Sequence, residues 1–256
     1  MSDLGKLAEI VDEAARSATA IEQLTVKNPK LTPEEGYEIQ RLSIERRLAR
    51  GERRIGVKMG LTSRAKMIQV GVDQAAWGRL TDAMLLEEGG ELSRKNYIHP
   101  RIEPEVAFLI GRPLAGNVSA VEAMAAVDAV APAMEVIDSR FENFKFTLPD
   151  VVADNASSSG LVIGSWGDPH QDISNLGMVL EVNGRVVQVG SSAAILGHPV
   201  RSLVMAARVV AAAGECLNPG DIVMAGGATA AHPLTVGEHI RNSVQNLGAV
   251  SIKVGD

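Results

Sequence analysis

The chain is organised around one stretch, Pro100-Arg101-Ile102-Glu103-Pro104-Glu105-Val106-Ala107-Phe108-Leu109-Ile110. Its second half is apolar and rich in β-branched and aromatic side chains, which predicts a β-strand. Side chains of a strand alternate between its two faces, so Glu103 and Glu105 point the same way, with their Cα atoms about 6.6 Å apart. Because both faces are apolar beyond Glu105, we expect this strand to be covered on both sides.

One interpretation of Glu103 and Glu105 is that they bind a metal ion. Adjacent carboxylates at the entrance of a buried strand repel each other and lose hydration, and a divalent cation bound by oxygen would neutralise them. The alternative is a pair of solvated glutamates at a strand end, and their spacing alone does not decide between the two. A third carboxylate, Glu135, lies in a similar apolar segment, residues 131–138, which we also predict to be a strand.

Length and composition restrict the class of protein. The chain has 256 residues, of which 46% are hydrophobic and 22% are charged, as in an ordinary globular protein with a full core. A net charge of -6 with no long basic run argues against a nucleic-acid partner. The single cysteine, Cys216, excludes an internal disulfide and is typical of a reducing compartment. The sequence shows neither a basic leader nor an 18-residue apolar run, so we expect no membrane insertion and a cytoplasmic location.

The order of predicted elements gives a helical N-terminal lobe, residues 1–54, and a β-rich core, residues 55–256, which we expect to form one folding unit. In the lobe, apolar periodicity predicts a helix over residues 3–20, and the capping box from Thr32 to Glu35 starts a second helix that runs to about residue 48. This lobe is expected to serve packing and subunit association.

The core is predicted as a series of short strands with two further helices. Ser63 is expected to cap a helix through residues 65–69, and the chain turns polar at residues 77–82. A capping box at Ser119 starts a helix to about residue 130, and Asn183-Gly184 is typical of a β-hairpin turn. The remaining predicted elements are a loop at residues 154–160, a helix at residues 199–213, and strands at residues 55–60, 222–225 and 249–254.

Two features of the core leave alternatives open. Lys58 lies inside an apolar strand, where its ammonium group either reaches water along a buried stem or faces an anionic substrate as a buried cation. The small polar side chains of residues 154–160 could line an anion pocket or form a plain turn. The five histidines show neither zinc-ligand nor catalytic-triad spacing, and Gly226-Gly227 lacks the glycine spacing of a dinucleotide site.

Five ordered motifs then point to a family. They are Lys58-Met-Gly-Leu-Thr-Ser63, Ile102-Glu-Pro-Glu105, Glu135-Val-Ile-Asp-Ser-Arg140, Val152-Ala-Asp-Asn-Ala-Ser-Ser158 and Leu196-Gly-His-Pro199. Together they resemble the fumarylacetoacetate hydrolase superfamily, and within it the hydratase/decarboxylase branch. Residues 138–146 and the loop at residues 226–231 resemble the decarboxylase form.

The resemblance implies an α+β fold in which the helical lobe lies on a curved, mixed but mainly antiparallel β-core of the C-terminal-domain type of that family. It implies Mg²⁺, or alternatively Mn²⁺, held by Glu103, Glu105 and Glu135. The implied reaction converts the dicarboxylate 2-oxo-3-hexenedioate into 2-hydroxypenta-2,4-dienoate and CO₂ in the meta-cleavage catabolism of aromatic compounds.

Roles for further residues follow from the same resemblance. Lys58 would supply a cation for the dianionic substrate, and Asp82 would handle a proton at the diene terminus. Substrate contacts are expected from Leu61, Ser157, Ser158 and Thr229. The resemblance also implies a homo-oligomer and an association with the hydratase of the same pathway. The alternatives are a dienoate hydratase acting at the same metal, a C–C bond hydrolase, and a catalytically silent scaffold.

Overall fold

The computed structural model describes residues 3–63 and 75–256, so the helix predicted for residues 65–69 lies outside the described residues. The helices are α1 (Leu4–Arg16), α2 (Leu24–Lys27), α3 (Pro33–Ala49), α4 (Ala120–Ala125), α5 (Leu148–Ala153) and α6 (Pro199–Ala212). The strands are β1 (Arg54–Gly60), β2 (Ala76–Thr81), β3 (Leu85–Leu86), β4 (Glu91–Ser93), β5 (Arg101–Ile110), β6 (Val127–Ile137), β7 (Ser158–Ile163), β8 (Gly177–Val182), β9 (Arg185–Ser191), β10 (Ile222–Met224), β11 (His232–Pro233), β12 (His239–Val244) and β13 (Gly248–Gly255).

The N-terminal lobe forms largely as its sequence predicts. The Thr32 hydroxyl accepts from the Glu35 N–H while the Glu35 carboxylate accepts from the Thr32 N–H, so the predicted capping box is present at the start of α3. Helix α1 ends at Arg16, about four residues earlier than its periodicity predicts. Helices α1 and α3 are joined by the buried Asp12 carboxylate, which accepts from the Arg50 guanidinium at 2.6 Å.

Buried polar contacts attach this lobe to the core. The side-chain amide of Gln40 donates to the carbonyls of Trp77 and Val152 at 3.1 and 2.9 Å. Its carbonyl accepts from Arg79 at 2.7 Å, and the same guanidinium donates through Nε to Glu215 at 2.9 Å. Because a buried polar group is costly unless it is paired, separating the lobe from the core would leave several such groups unsatisfied. We infer from these contacts that the two parts fold as one unit.

The core consists of two packed sheets. One has the strand order β2-β1-β10-β5-β6-β7-β3, with β11 paired to the start of β5, and the other has the order β4-β13-β12-β8-β9. Neighbouring strands are antiparallel except in the pairs β1/β10, β3/β7 and β4/β13. Aliphatic side chains of both sheets, among them Ile102, Val136, Leu180 and Ile252, form the core between them. This arrangement confirms the predicted fold class, an α+β fold with a mixed, mainly antiparallel core.

Strand β5 occupies the centre of the larger sheet, between β10 and β6, and is covered on both faces as expected. Val106, Phe108 and Ile110 enter a core beneath helix α6, whereas Ala107 belongs to a different cluster on the other face. Because side chains alternate along β5, Glu103 lies on the same face as Ala107, as the sequence predicts.

Two element predictions were wrong. The helix that begins after Ser119 ends at Ala125 instead of about residue 130, because β6 starts at Val127 and pairs with β5 along its whole length. Residues 154–160 are not one loop, since a short turn over residues 155–157 leads into β7 at Ser158. In both places pairing with a neighbouring strand overrode the local preference of small residues. Among the described residues, no helix is long and apolar enough to cross a membrane.

Candidate metal centre and substrate cavity

The three glutamates selected from the sequence meet on the sheet. Antiparallel pairing of β5 with β6 places Glu103 directly opposite Glu135, and Glu105 follows two residues along the same face of β5. One carboxylate oxygen from each residue can be chosen so that all three lie within 4.8 Å of one another. All three side chains are buried, with Glu105 and Glu135 at most 1% exposed.

The cluster is electrostatically strained by itself. Burial raises the pKa of Glu105 well above its usual range, and the nearby Glu135 carboxylate raises it further. Burial also raises the pKa of Glu135, while the Lys58 ammonium group lowers it. Two desolvated carboxylates that share one site cannot both ionise cheaply, so the cluster favours a bound cation.

Lys58 is the cation built into the cluster. Its side chain is nearly inaccessible to solvent, and its Nζ lies 3.0 Å from Glu135 Oε2 and 2.9 Å from the carbonyl oxygen of Ala156. The sequence left two positions open for the Lys58 ammonium group. The structure excludes the position in water, so the ammonium group is a buried cation. An ammonium group has three N–H groups, so beside the described contacts with Glu135 and Ala156 it can also donate to a ligand.

A strained turn supplies the carbonyl that Lys58 binds. Asn155, Ala156 and Ser157 have φ values of +51°, +50° and +59°, a left-handed conformation that costs non-glycine residues roughly 1 kcal/mol or more each. Side-chain contacts hold the turn in place: the side-chain oxygen Oδ1 of Asn155 accepts from the backbone N–H of Arg79 at 2.7 Å, and the buried Arg140 guanidinium pairs with Asp154. These side chains therefore hold the turn in the conformation that presents the Ala156 carbonyl to Lys58.

The loop at residues 226–231 closes over Glu105. The Gly226 N–H donates to Glu105 Oε2 at 2.7 Å. At this position φ is +111°, and a β-carbon would lie 2.1 Å from the Thr62 hydroxyl oxygen, so only glycine brings the N–H this close.

A cavity of about 700 Å³ opens onto the cluster, a volume typical of small-molecule sites. Its lining includes Lys58 and Glu103 together with three of the predicted substrate contacts, Leu61, Ser157 and Thr229. The fourth, Ser158, is buried at the start of β7 and does not line the cavity.

Asp82 is not brought into this cluster. Gly78 of β2 lies opposite Lys58, and Asp82 follows four residues later, about 13 Å farther along the strand direction. Its carboxylate accepts from the backbone N–H and the Nε of Arg53, both at 2.9 Å. The hydrogen bond from that backbone N–H, and after it the bond from the guanidinium, lower the pKa of Asp82. We therefore propose no catalytic role for Asp82.

Among the cavity residues that the sequence analysis did not select are Arg101 and Phe144. Arg101 lines the cavity, and its guanidinium carbon lies 4.4 Å from the centre of the Phe144 ring, which lines the same wall. Arg101 precedes Glu103 by two residues on β5, so the same alternation that selected the glutamates could have identified it. Phe144 gave no sequence signal, because its position depends on consecutive left-handed residues at Asn143 and Phe144.

The donor set of the cluster fits a hard divalent cation. Among the described residues, the metal-ligating atoms that converge on it are carboxylate oxygens, which Mg²⁺, Mn²⁺ and Ca²⁺ prefer. Within the described residues, Oε1 of Glu105 and Oε1 of Glu135 are buried without a hydrogen-bond partner, and a bound cation would satisfy both oxygens.

Comparison with known proteins assigns the family. The family model for the C-terminal domain of fumarylacetoacetate (FAA) hydrolase matches residues 74–255. The chain belongs to the fumarylacetoacetate hydrolase family. Within that family it is 56% identical over 248 residues to a 4-oxalocrotonate decarboxylase of a Pseudomonas species, covering 97% of this chain and 96% of that protein.

Further members of the fumarylacetoacetate hydrolase family are similar over the whole chain. The solved structure of 4-oxalocrotonate decarboxylase from Pseudomonas putida G7, complexed with magnesium and adipate, superposes with a TM-score of 0.95 at 40% identity, covering 98% of this chain and 97% of that one. A 2-hydroxyhexa-2,4-dienoate hydratase of Comamonas testosteroni is 35% identical over 246 residues, covering 94% of this chain and 93% of the hydratase.

Proposed function

We propose that the protein is a Mg²⁺-dependent carboxy-lyase that converts 2-oxo-3-hexenedioate (4-oxalocrotonate) into 2-hydroxypenta-2,4-dienoate and CO₂. The observation that carries this proposal is the buried Glu103, Glu105 and Glu135 cluster with its Lys58 counter-ion, in a chain that aligns over nearly its full length with 4-oxalocrotonate decarboxylases. Identity to the decarboxylase is 56%, against 35% to the dienoate hydratase, which favours decarboxylation.

The reaction breaks the bond between C5 and C6 of the substrate. The electron pair of that bond forms the C4–C5 double bond, the C3–C4 double bond moves to C2–C3, and negative charge develops on the C2 oxygen. A proton from water then adds to that oxygen and gives the 2-hydroxy product. Mg²⁺ held by Glu103, Glu105 and Glu135 would supply Lewis-acid stabilisation of this charge, and Mn²⁺ would serve in the same way.

The residues of the chain bind and orient the substrate around that charge. Lys58 is fixed by Glu135 and by the Ala156 carbonyl, so its ammonium group can donate to a substrate oxygen without reorganisation. The Ser157 hydroxyl, which lines the cavity and has no hydrogen-bond partner among the described residues, is available to a substrate carboxylate.

Apolar walls complete the site for decarboxylation. Leu61, Ile137, Phe146 and Val151 line the cavity and limit hydration of the carboxylate that is lost. A C–C bond hydrolase would need a base to activate water. The described lining residues include no histidine, and their only carboxylate is Glu103 of the cluster.

The test compares the two reactions of the branch in the purified protein with Mg²⁺. We expect 2-oxo-3-hexenedioate to yield one equivalent of CO₂ and one of 2-hydroxypenta-2,4-dienoate, measured by gas release and by ultraviolet absorbance. Authentic 2-hydroxypenta-2,4-dienoate, supplied separately, should persist. Loss of the dienoate by water addition, without CO₂ from the dicarboxylate, would identify a hydratase and contradict the proposal.

We further propose that the protein acts in the cytoplasm, in the meta-cleavage catabolism of aromatic compounds, as a homo-oligomer that associates with the hydratase consuming its product. The single cysteine is consistent with a reducing compartment. Support for self-association comes from β9, an edge strand on which Val186, Val187 and Val189 are exposed. The mass of the protein in solution, with and without the hydratase, tests both associations.

A further inference from the structure

The described lining of the cavity contains, besides Lys58, a cationic side chain that the metal cluster does not use. Arg101 is the first residue of β5 and lies on the same face as Glu103, with the two Cα atoms about 6.6 Å apart. Among the described residues its guanidinium forms no ion pair with a carboxylate, and its close contact is with the Phe144 ring. Arg101 is therefore a cation at the cavity wall, adjacent to the metal cluster.

The charge of the substrate calls for such a cation. Among the described groups, three carboxylates, the Lys58 ammonium group and one divalent ion together carry no net charge, so a bound dianion would bring two negative charges that these groups do not neutralise. The C1 carboxylate and C2 oxygen belong at the metal end, where the charge develops. The distal carboxylate has no partner in the cluster, and desolvating it without a counter-ion would be costly.

The contact with Phe144 prepares Arg101 for that partner. A ring 4.4 Å from the guanidinium carbon orients the group, and among the described residues its N–H groups donate to no carboxylate, so they can bind one in bidentate geometry. Phe144 reaches this position through left-handed backbone at Asn143 and Phe144, with φ of +58° and +57°. Backbone strain of this kind is maintained where the surrounding structure requires it.

We propose that Arg101 binds the distal carboxylate of the substrate, the group released as CO₂, and thereby makes the site selective for dianionic 2-oxo acids over monoanionic ones. This inference rests on the proposed function. Because the contact exists before the C5–C6 bond breaks and is lost as CO₂ leaves, Arg101 contributes to substrate binding and alignment more than to the chemical step. It is a specificity-determining residue, distinct from the metal ligands.

The test uses two inhibitors that differ only at the distal end, 2-oxohexanedioate and 2-oxohexanoate. The first is saturated and cannot lose CO₂ by the proposed route, and the second has a methyl group in place of the distal carboxylate. We expect Arg101→Gln to weaken inhibition by 2-oxohexanedioate about 10- to 100-fold, the range for a charge-assisted pair, and to change inhibition by 2-oxohexanoate less than about threefold. For the substrate itself, KM should rise by a similar factor while kcat changes less than about fivefold.

Two further variants complete the design. Phe144→Leu keeps the charge of Arg101 but removes the ring. It should weaken inhibition by 2-oxohexanedioate, but not by 2-oxohexanoate, by about 3- to 10-fold. Arg185 is an exposed arginine at the tip of the β8–β9 hairpin. Arg185→Gln is therefore the matched control and should not change inhibition by either compound. If Arg101→Gln were unstable, the selectivity of Phe144→Leu would still test the proposal.

The outcomes separate this inference from the proposed function. Equal weakening of both inhibitors in Arg101→Gln and Phe144→Leu, or no weakening of either, would overturn the role of Arg101 while leaving the decarboxylase intact. If the wild-type protein released no CO₂ and bound neither inhibitor, the proposed function would fail instead.

Discussion

Replacing Glu105 with glutamine is expected to lower the rate of CO₂ release on the order of 1000-fold, since residues that merely orient a metal ligand are already worth about 10- to 100-fold. The glutamine amide keeps the shape of the side chain, and its oxygen can still accept from the Gly226 N–H. The change removes one of three anionic ligands. The measurement is the initial rate of CO₂ release at saturating Mg²⁺. Glu87→Gln, at an exposed loop position, is the control and should behave as wild type.

The same variant separates metal binding from folding. Without metal, Glu105→Gln should melt at or above the Tm of the wild-type protein, because it removes one of several mutually repelling buried carboxylates. Added Mg²⁺ should raise the Tm of the wild type, since a ligand that binds only the folded state stabilises it, and should leave the variant unchanged. An equal Mg²⁺-dependent rise in both proteins would contradict the assignment of Glu105 as a ligand.

Replacing Lys58 with methionine is expected to be the most destabilising of these changes. Methionine fills a similar volume but leaves Glu135 buried without its counter-ion, and breaking a buried ion pair costs about 3–5 kcal/mol of unfolding free energy. The Ala156 carbonyl of the strained turn would also lose its donor. Activity should fall at least about 100-fold, the order expected for loss of one preorganised donor. Urea denaturation in metal-free buffer and CO₂ release with Mg²⁺ measure the two effects.

A double variant distinguishes the two roles of Lys58. Combining Lys58→Met with Glu135→Gln removes both charges of the pair, so much of the lost stability should return while activity stays low. If the double variant were no more stable than Lys58→Met, the buried pair would not explain the destabilisation.

The sequence predicted the parts of the site that follow from local periodicity. Alternation along β5 was sufficient to place Glu103 and Glu105 on one face, and the apolar context of Glu135 identified its strand, although that strand begins earlier than predicted. The capping box of α3 and the Asn183-Gly184 hairpin were predictable for the same reason, since each depends on residues close in sequence.

The remaining features depend on contacts between distant segments. Whether Lys58 reaches water depends on the turn at Ala156, which is 98 residues away in the chain. The strand β2 was missed because its polar residues are buried by partners elsewhere, as when Arg79 pairs with Glu215. The position of Asp82, to which the resemblance gives a role, depends likewise on a distant residue, since its carboxylate pairs with Arg53, which is 29 residues away in the chain. Alternation along β5 could have placed Arg101 on the same face as Glu103, but it could not have predicted the contact of Arg101 with Phe144.

We propose that a divalent ion bound at Glu103, Glu105 and Glu135 is required for decarboxylation. The most direct test is CO₂ release from 2-oxo-3-hexenedioate by protein stripped with EDTA, before and after addition of excess Mg²⁺. We expect no release above the uncatalysed rate in EDTA and full recovery with Mg²⁺, saturating at one ion per chain. CO₂ release that continued undiminished in EDTA would contradict this proposal.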